Sequence, residues 1–588
     1  MLYPITTRSR NIISLDGEWQ FRYEDEDEWR TVYVPASFNN QFTEEKARTY
    51  TGTVEYRRDF VIPRLFEKER RVLRFDAVTH NAEVYIDGKL SVTHKGGFLP
   101  FEVDITSAVN CGDSHTILVK VDNRINNHTL PVGNEFGPAF FGSDNPGIPS
   151  VENGKKKLAG SNMPNFDFFN YAGITRSVRI YTTPQEYIKD VAITTGIDGA
   201  DGIVTYAIQT SVEEDAGFEV IDSEGVTVAV SKGLSGTIRI RNAHFWYPKP
   251  DVPYLYKARF SCKDDEYELP FGIRTVEIRG NRFLLNGRPF RFKGFGRHED
   301  SPVRGRGIDQ CLNIKDANIF HWIGANSFRT SHYPYSEEMY FLCDREGIVI
   351  IDELPAVGMN FQGASNPYIL GTREYHEELL EALIERDRNH PSVVMWSLGN
   401  EPDSEHFPED AYGYWRPLYE KAHEIDPQNR PVTMVCCQND YTKDITTRSM
   451  DVICINRYYG WYNLSGNLKV AKEALEEEME FWKKIDKPLM LTEYGADAIP
   501  GFHAIAPEMF TEEYQAAYLE AMNSVMDRFS FVIGEQVWNY ADFDTQQGPM
   551  RVCGNHKGVF SRDRNPKMAA YLLRKRWKER GNFFESGN

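Results

Sequence analysis

Two short motifs carry carboxylates in positions where they could cleave a glycosidic bond: Trp396-Ser-Leu-Gly-Asn-Glu401 and Leu491-Thr-Glu-Tyr-Gly495. Each sets a glutamate just past an apolar, strand-like run, residues 393–398 and 488–492. Such cleavage needs two carboxyl groups. One protonates the leaving oxygen, and the other attacks the sugar carbon or activates water. Either glutamate could take either role on this pattern, since the roles follow from environment. A third motif, Asn555-His-Lys557 after Gly554, supplies a cation and an amide. A neutral sugar would leave Lys557 buried without a counter-charge, which is costly. A sugar carboxylate would remove that cost, so the three motifs together imply action on an acidic sugar.

Each motif also has a plain reading. A glutamate before Pro402 suits the first turn of a helix. The cluster Arg551, Asn555 and Lys557 could be a solvated basic loop. What favours chemistry is where the elements put these residues. From about residue 276, apolar runs at 290–295, 327–330, 348–352, 393–398, 431–435, 452–456, 488–492 and 534–539 alternate with helical segments. One such segment is 377–388, with Leu379, Leu380, Leu383 and Ile384 at helical spacing. Eight strands with intervening helices predict a catalytic (β/α)₈ TIM barrel over 276–588, whose functional residues gather at the C-terminal ends of the strands. Glu401 then follows strand four and Glu493 strand seven. Asn456 and Tyr458 follow strand six, Trp538 ends strand eight, and Asn555 and Lys557 lie in the loop beyond it. His332, in Arg329-Thr-Ser-His332, sits at another strand end, as an orienting group or a sugar contact.

Upstream, residues 1–182 read as a jelly-roll β-sandwich, with alternating runs at 53–62, 71–77, 82–86 and 115–121. Residues 183–275 suit an immunoglobulin-like β-sandwich, with strands expected at 187–194, 203–212, 217–220, 237–240 and 256–262. The Gly-, Pro- and Asn-rich stretch 126–164 leads directly into Asp167, and loops of this length are usually functional or disordered.

The whole-chain numbers exclude several classes. A net charge of −19 argues against a nucleic-acid binder. It does not exclude an anionic substrate, because nearby charges dominate a screened pocket. None of the eight cysteines forms a C-x-x-C pair, and no His, Asp and Glu set has metal-ligand spacing, so no metal is expected. No run approaches the ~18 apolar residues of a membrane span, and Met1–Arg10 has no apolar signal stretch. A soluble, cytoplasmic protein is expected.

These motifs resemble those of the β-glucuronidases of glycoside hydrolase family 2. The likeness rests on Gly-Asn400-Glu401-Pro, Thr-Glu493-Tyr-Gly, Asn456-Arg-Tyr-Tyr-Gly-Trp-Tyr462, Asp167-Phe-Phe-Asn-Tyr-Ala-Gly and Asn555-His-Lys557-Gly. It runs through nearly the whole chain in the same order. The glutamate pair is shared with β-galactosidases and β-mannosidases, whereas the Asn-x-Lys pair marks enzymes of uronic acids. The resemblance implies Glu401 as general acid/base and Glu493 as nucleophile of a retaining exo-hydrolase. It implies Asn400 on the 2-hydroxyl, and Asn456, Tyr458 and Tyr462 lining the pocket. Asp167 would meet a ring hydroxyl, Trp538 and Arg551 would hold the sugar, and Asn555 and Lys557 would take its carboxylate. It further implies no cofactor, a small-molecule or oligosaccharide glucuronide as substrate, and a homotetramer. Segment 358–371 is short where some members carry a loop over the aglycone. A β-galacturonidase, a β-galactosidase and a non-catalytic sugar-binding protein are the rival expectations.

Overall fold

Alternation decides the first layer. Ser114–Asp122 buries every second residue, and it pairs with Thr53–Val61 on one side and Asn81–Ile86 on the other, antiparallel throughout. The computed structural model describes residues 1–133, 164–212, 216–359, 366–369, 371–438, 440–548 and 550–584. Most of 126–164 and part of 358–371 therefore lie outside the described residues. The amino-terminal strands form a six-stranded and a four-stranded sheet packed as a sandwich around Trp19, Phe21, Tyr56, Leu73, Val84 and Val119. The next strands form a three-stranded and a four-stranded sheet around Val204, Phe218 and Phe260. This is the immunoglobulin-like arrangement.

Two strands here escape the sequence pattern, Thr227–Lys232 and Asp265–Phe271. Both are the outer strands of the four-stranded sheet. Asp265–Phe271 carries Pro270, which an edge tolerates and a sheet centre does not. Thr227–Lys232 is mostly exposed, so it lacks a buried apolar face.

The third part is a closed barrel of eight parallel strands. They are Phe292–Gly296, Ser327–Arg329, Val349–Glu353, Val393–Asn400, Val432–Cys436, Ile453–Asn456, Leu489–Glu493 and Val532–Val537. All eight expected runs are strands. Their continuous burial is why they read as unbroken apolar stretches. A short antiparallel sheet from Val276–Arg279, Arg282–Leu285 and Arg288–Pro289 supplies Phe283, Leu285 and Phe290. These pack with Val349, Val394 and Met490, near the starts of their strands, and so plug the amino-terminal end of the barrel. The open end is the other one.

The first sandwich leans on that open end. Phe98 stacks on Tyr333 with centroids 4.8 Å apart, and Arg176 donates to the Pro334 carbonyl at 2.6 Å. Phe98, Phe166 and Phe168 join the barrel's own core, each worth about 1.5–3 kcal/mol on burial. Among the described residues, no helix is long and apolar enough to cross a membrane. All eight cysteines are free thiols.

Candidate active site

The two glutamates come together at the open end of the barrel. Glu493 is the last residue of its strand, and Glu401 follows Asn400, the last of its own. The fourth strand slips register between Ser397 and Asn400, where Gly399 packs so close to Ala356 that a side chain would not fit. Glu401 itself takes a left-handed backbone, φ +51°, an unfavourable conformation for a glutamate. Its N–H donates to the Val435 carbonyl at 2.8 Å, which holds that turn against the fifth strand.

One amide links the pair's supports. Asn456 Nδ2 donates to Glu401 Oε1 at 2.6 Å and to Asn400 Oδ1 at 3.2 Å, while its Oδ1 accepts from Thr492 Oγ1 at 2.9 Å. Thr492 directly precedes Glu493, so the amide ties both carboxylate turns together. Tyr458 Oη donates to Glu493 Oε2 at 2.6 Å. The other Glu493 oxygen accepts from Arg329.

Arg329 and Glu353 are functional positions that the sequence motifs do not single out. Arg329 is fully buried and donates to both Glu353 oxygens, at 2.7 and 2.8 Å, as well as to Glu493. Glu353 ends the third strand, so the rule that picks out Glu401 and Glu493 applies to it equally. The apolar run expected there stops at residue 352, one position short of the strand's real end. His332 belongs to this network: Nδ1 lies 2.8 Å from Glu353, Nε2 lies 3.8 Å from Glu493, and the ring stacks on Trp538 at 5.1 Å.

The charges follow from these contacts. Burial pushes Glu353 up, but Arg329 and His332 outweigh it and hold the carboxyl below the usual range. Burial lowers His332, so its imidazole is neutral near pH 7. Burial also raises both Glu401 and Glu493, and Glu401 raises Glu493 further, to about 8. Taken singly, that larger lift would put a proton on Glu493. The charge on Glu401 is, however, one of the causes that raise Glu493, so a proton on Glu401 favours the ionised form of Glu493. A guanidinium and a phenol donate to Glu493, whereas the donor to Glu401 is the neutral Asn456 amide. Charge-assisted donors are the stronger ones, so the charge settles on Glu493 and the proton on Glu401.

A second cluster adjoins the first. Asp167, from the amino-terminal sandwich, accepts from Arg551 Nε at 2.7 Å and from Asn555 Nδ2 at 2.7 Å. Arg551 Nη2 also reaches Tyr462 Oη at 2.9 Å. Tyr462 meets Tyr458 edge to face at 5.1 Å, which joins the two clusters. Asp167, Glu401, Tyr458 and Tyr462 are the partly exposed members and form the mouth; the others are buried.

Lys557 requires a correction. The expectation that it would stand unpaired without an acidic sugar is wrong. Its ammonium donates to the buried Asp497 carboxylate and sits 4.7 Å from the Tyr462 ring centre and 5.1 Å from that of Trp461. The counter-charge comes from the chain itself, in the turn that follows Glu493. An ammonium carries three hydrogens, and Asp497 takes one of them. What Lys557 offers a ligand is its remaining donor capacity, not an uncompensated charge.

The site residues expected from the sequence thus fall in two touching clusters at one end of the barrel. Among the described residues, no group of His, Cys, Asp and Glu side chains could hold a metal ion. What the arrangement offers is a paired acid and carboxylate beside a cation-bearing wall.

The sequence matches three family models that between them cover nearly all of the chain: Glycosyl hydrolases family 2, sugar binding domain, over 7–184; Glycosyl hydrolases family 2 over 174–274; and Glycosyl hydrolases family 2, TIM barrel domain, over 276–581. The chain belongs to glycoside hydrolase family 2. Within this family it is similar to a β-glucuronidase of Paenibacillus borealis, 42% identical with both chains covered in full. It is similar in structure to a Faecalibacterium prausnitzii β-glucuronidase, at TM-score 0.96 and 50% identity over 99% of this chain and 100% of the other. A Bifidobacterium dentium β-glucuronidase complexed with coumarin-3-O-glucuronide matches at TM-score 0.95 and 49% identity, over 99% of each chain.

A family 2 hydrolase with the proton on Glu401 depends on that residue most when the leaving group is poor. Glu401→Gln is expected to lower kcat/KM on an alkyl glycoside by about three powers of ten, and on an activated dinitrophenyl glycoside by about tenfold or less. The alkaline limb of the pH profile, which is loss of the Glu401 proton, should vanish with it. Stopped assays on both glycosides from mildly acidic to mildly alkaline pH check this.

Proposed function

We propose that the chain is a retaining exo-β-D-glucuronidase. The observation that carries the reading is the placement of Asn555 and Lys557 beside the Glu401 and Glu493 pair, in a fold shared with named β-glucuronidases. Glu493 attacks the anomeric carbon while Glu401 gives its proton to the aglycone oxygen. The bond to the aglycone breaks and a glycosyl ester of Glu493 forms. Glu401, now a carboxylate, takes a proton from water as the water oxygen attacks the same carbon. Glucuronic acid leaves, and both carboxyl groups return to their starting state. Two inversions give net retention.

The other roles follow from position. Asn400 meets the 2-hydroxyl, next to the acid/base. Asn456 fixes both carboxylate turns, Tyr458 and Tyr462 line the pocket, and His332 backs Trp538 against the sugar. Asp167 meets a ring hydroxyl at the mouth, Trp538 and Arg551 help hold the sugar, and Asn555 and Lys557 take the sugar carboxylate. The division of labour we infer places the jelly-roll in 1–182, the immunoglobulin-like sandwich in 183–275 and the catalytic barrel in 276–588. A cytoplasmic setting is supported by the eight free thiols, which a reducing compartment preserves. A homotetramer is supported by the family resemblance.

Hydrolysis of paired nitrophenyl β-glycosides tests the sugar. Glucuronide should be strongly preferred over galacturonide and galactoside at equal concentration. Preference for galacturonide would keep the carboxylate recognition and move the error to C4. Preference for galactoside would remove Lys557 from the recognition altogether, and no turnover would favour a binding protein. Lys557→Met should lower kcat/KM for the glucuronide by about two to three powers of ten, the usual cost of truncating one partner of a buried charged pair. It also strands Asp497, so the assay belongs well below the variant's melting temperature.

A further inference from the structure

Asp497 links two parts of the site that are distant in sequence. It lies in the turn that follows Glu493, and it is 2% exposed. Its Oδ1 accepts the His556 backbone N–H at 2.9 Å, and its Oδ2 accepts from the Lys557 ammonium. One carboxylate therefore fixes both the backbone and the side chain of successive residues in the Asn555-His-Lys557 motif. The Ala498 N–H continues the seam, donating to the His556 carbonyl. The carboxylate stays ionised: burial raises it, but Lys557, Arg551 and the His556 N–H together outweigh burial and hold it below the usual range.

We propose that Asp497 is a specificity-determining positioning residue, which sets the Lys557 ammonium at a fixed distance from the Glu493 nucleophile so that the pocket accepts sugars with a carboxylate. The inference deepens the glucuronidase reading and rests on it. Three aromatic rings, Tyr458, Trp461 and Tyr462, surround the ammonium and give it an attractive but poorly directional environment. Asp497 is the partner that supplies direction. It shares its turn with the nucleophile, so the cation is registered to the reacting centre through a short stretch of backbone.

The test separates binding from chemistry. Asp497→Asn keeps the shape and an acceptor for the His556 N–H but removes the charge facing Lys557. With nitrophenyl β-glucuronide, KM should rise about tenfold or more while kcat stays within about threefold, because the lost interaction is with the sugar carboxylate and not with the reacting atoms. Asp497→Glu, which restores the charge, should recover part of the KM. On the nitrophenyl β-glucoside, which has no carboxylate, the Asn variant should match the parent. A fall in kcat with KM unchanged, or an equal loss on both sugars, would mean that Asp497 merely supports the fold, and overturns the proposal. So would a Glu variant no better than the Asn variant. If the Asn variant does not fold, the Glu variant carries the same KM-against-kcat comparison. A parent that turns over no glucuronide would overturn the glucuronidase reading, and this inference with it; a glucuronide-active parent with an unchanged Asn variant would overturn this inference alone.

Discussion

Glu493→Ala is expected to lower kcat on nitrophenyl β-glucuronide by about four to six powers of ten, since covalent catalysis is lost outright. The site should otherwise persist. Arg329 keeps its two bonds to Glu353, and Tyr458 loses one acceptor at a partly exposed position. KM or a direct binding constant for glucuronic acid should therefore change little. The space left by the carboxylate can admit a small anion such as azide. Azide would attack the anomeric carbon from the face Glu493 used, while Glu401 still protonates the aglycone. The product would be an α-glucuronosyl azide, formed in one displacement and so inverted. Proton NMR of the product reads this directly. A variant that keeps a hundredth of the parent's kcat, or an azide product of β configuration, would remove Glu493 from the role of nucleophile.

Arg329→Met should damage both stability and rate. The guanidinium is fully buried and compensates Glu353 and Glu493 together. Removing one partner of a buried ionic group costs about 3–5 kcal/mol. The pH dependence is the sharper readout. In the parent, Glu353 is held below its unfolded value. It therefore contributes stability that is present above the unfolded value and lost as pH falls through the folded one. Without Arg329, burial lifts Glu353 and raises Glu493 further than in the parent. The stabilising contribution of Glu353 is then lost and the penalty at Glu493 grows, so the variant loses more stability than the parent as pH rises. Its melting temperature should trail the parent's by more in mildly alkaline than in mildly acidic buffer. The acid limb of kcat/KM should also move to higher pH, because Glu493 must be ionised to attack. A deficit that is equal in both buffers would mean that Arg329 acts through packing alone.

The fold was legible where one principle governed a whole element. Parallel barrel strands are buried on both faces, so each announced itself as an apolar run, and eight in series implied closure. Edge strands follow weaker rules. Thr227–Lys232 is largely exposed, and Asp265–Phe271, though it alternates, carries a proline that argues against a strand, so neither stood out. In the site, Glu401 and Glu493 were legible because strand ends meet at one face of a barrel. Glu353 obeyed the same rule and was lost to a one-residue error in the strand boundary. Arg329 ends the second strand but fell within the apolar run expected at 327–330, where a buried cation has no pattern of its own. The pairing of Asp497 with Lys557 could not be read at all, because a contact between different loops leaves no local trace. Without that partner in view, the lysine looked uncompensated.

The bridge from Asp167 to Arg551 and Asn555 has a consequence for how the protein comes into being. The partners are 384 and 388 residues apart. Asp167 leaves the ribosome in the first third of synthesis, on a sandwich with its own core, and waits for the last loop of the barrel. Until that loop emerges the sugar pocket lacks its wall and its cation. A nascent chain without that loop lacks Arg551, Asn555 and Lys557, so the complete site exists only in a molecule whose first and last parts have both folded.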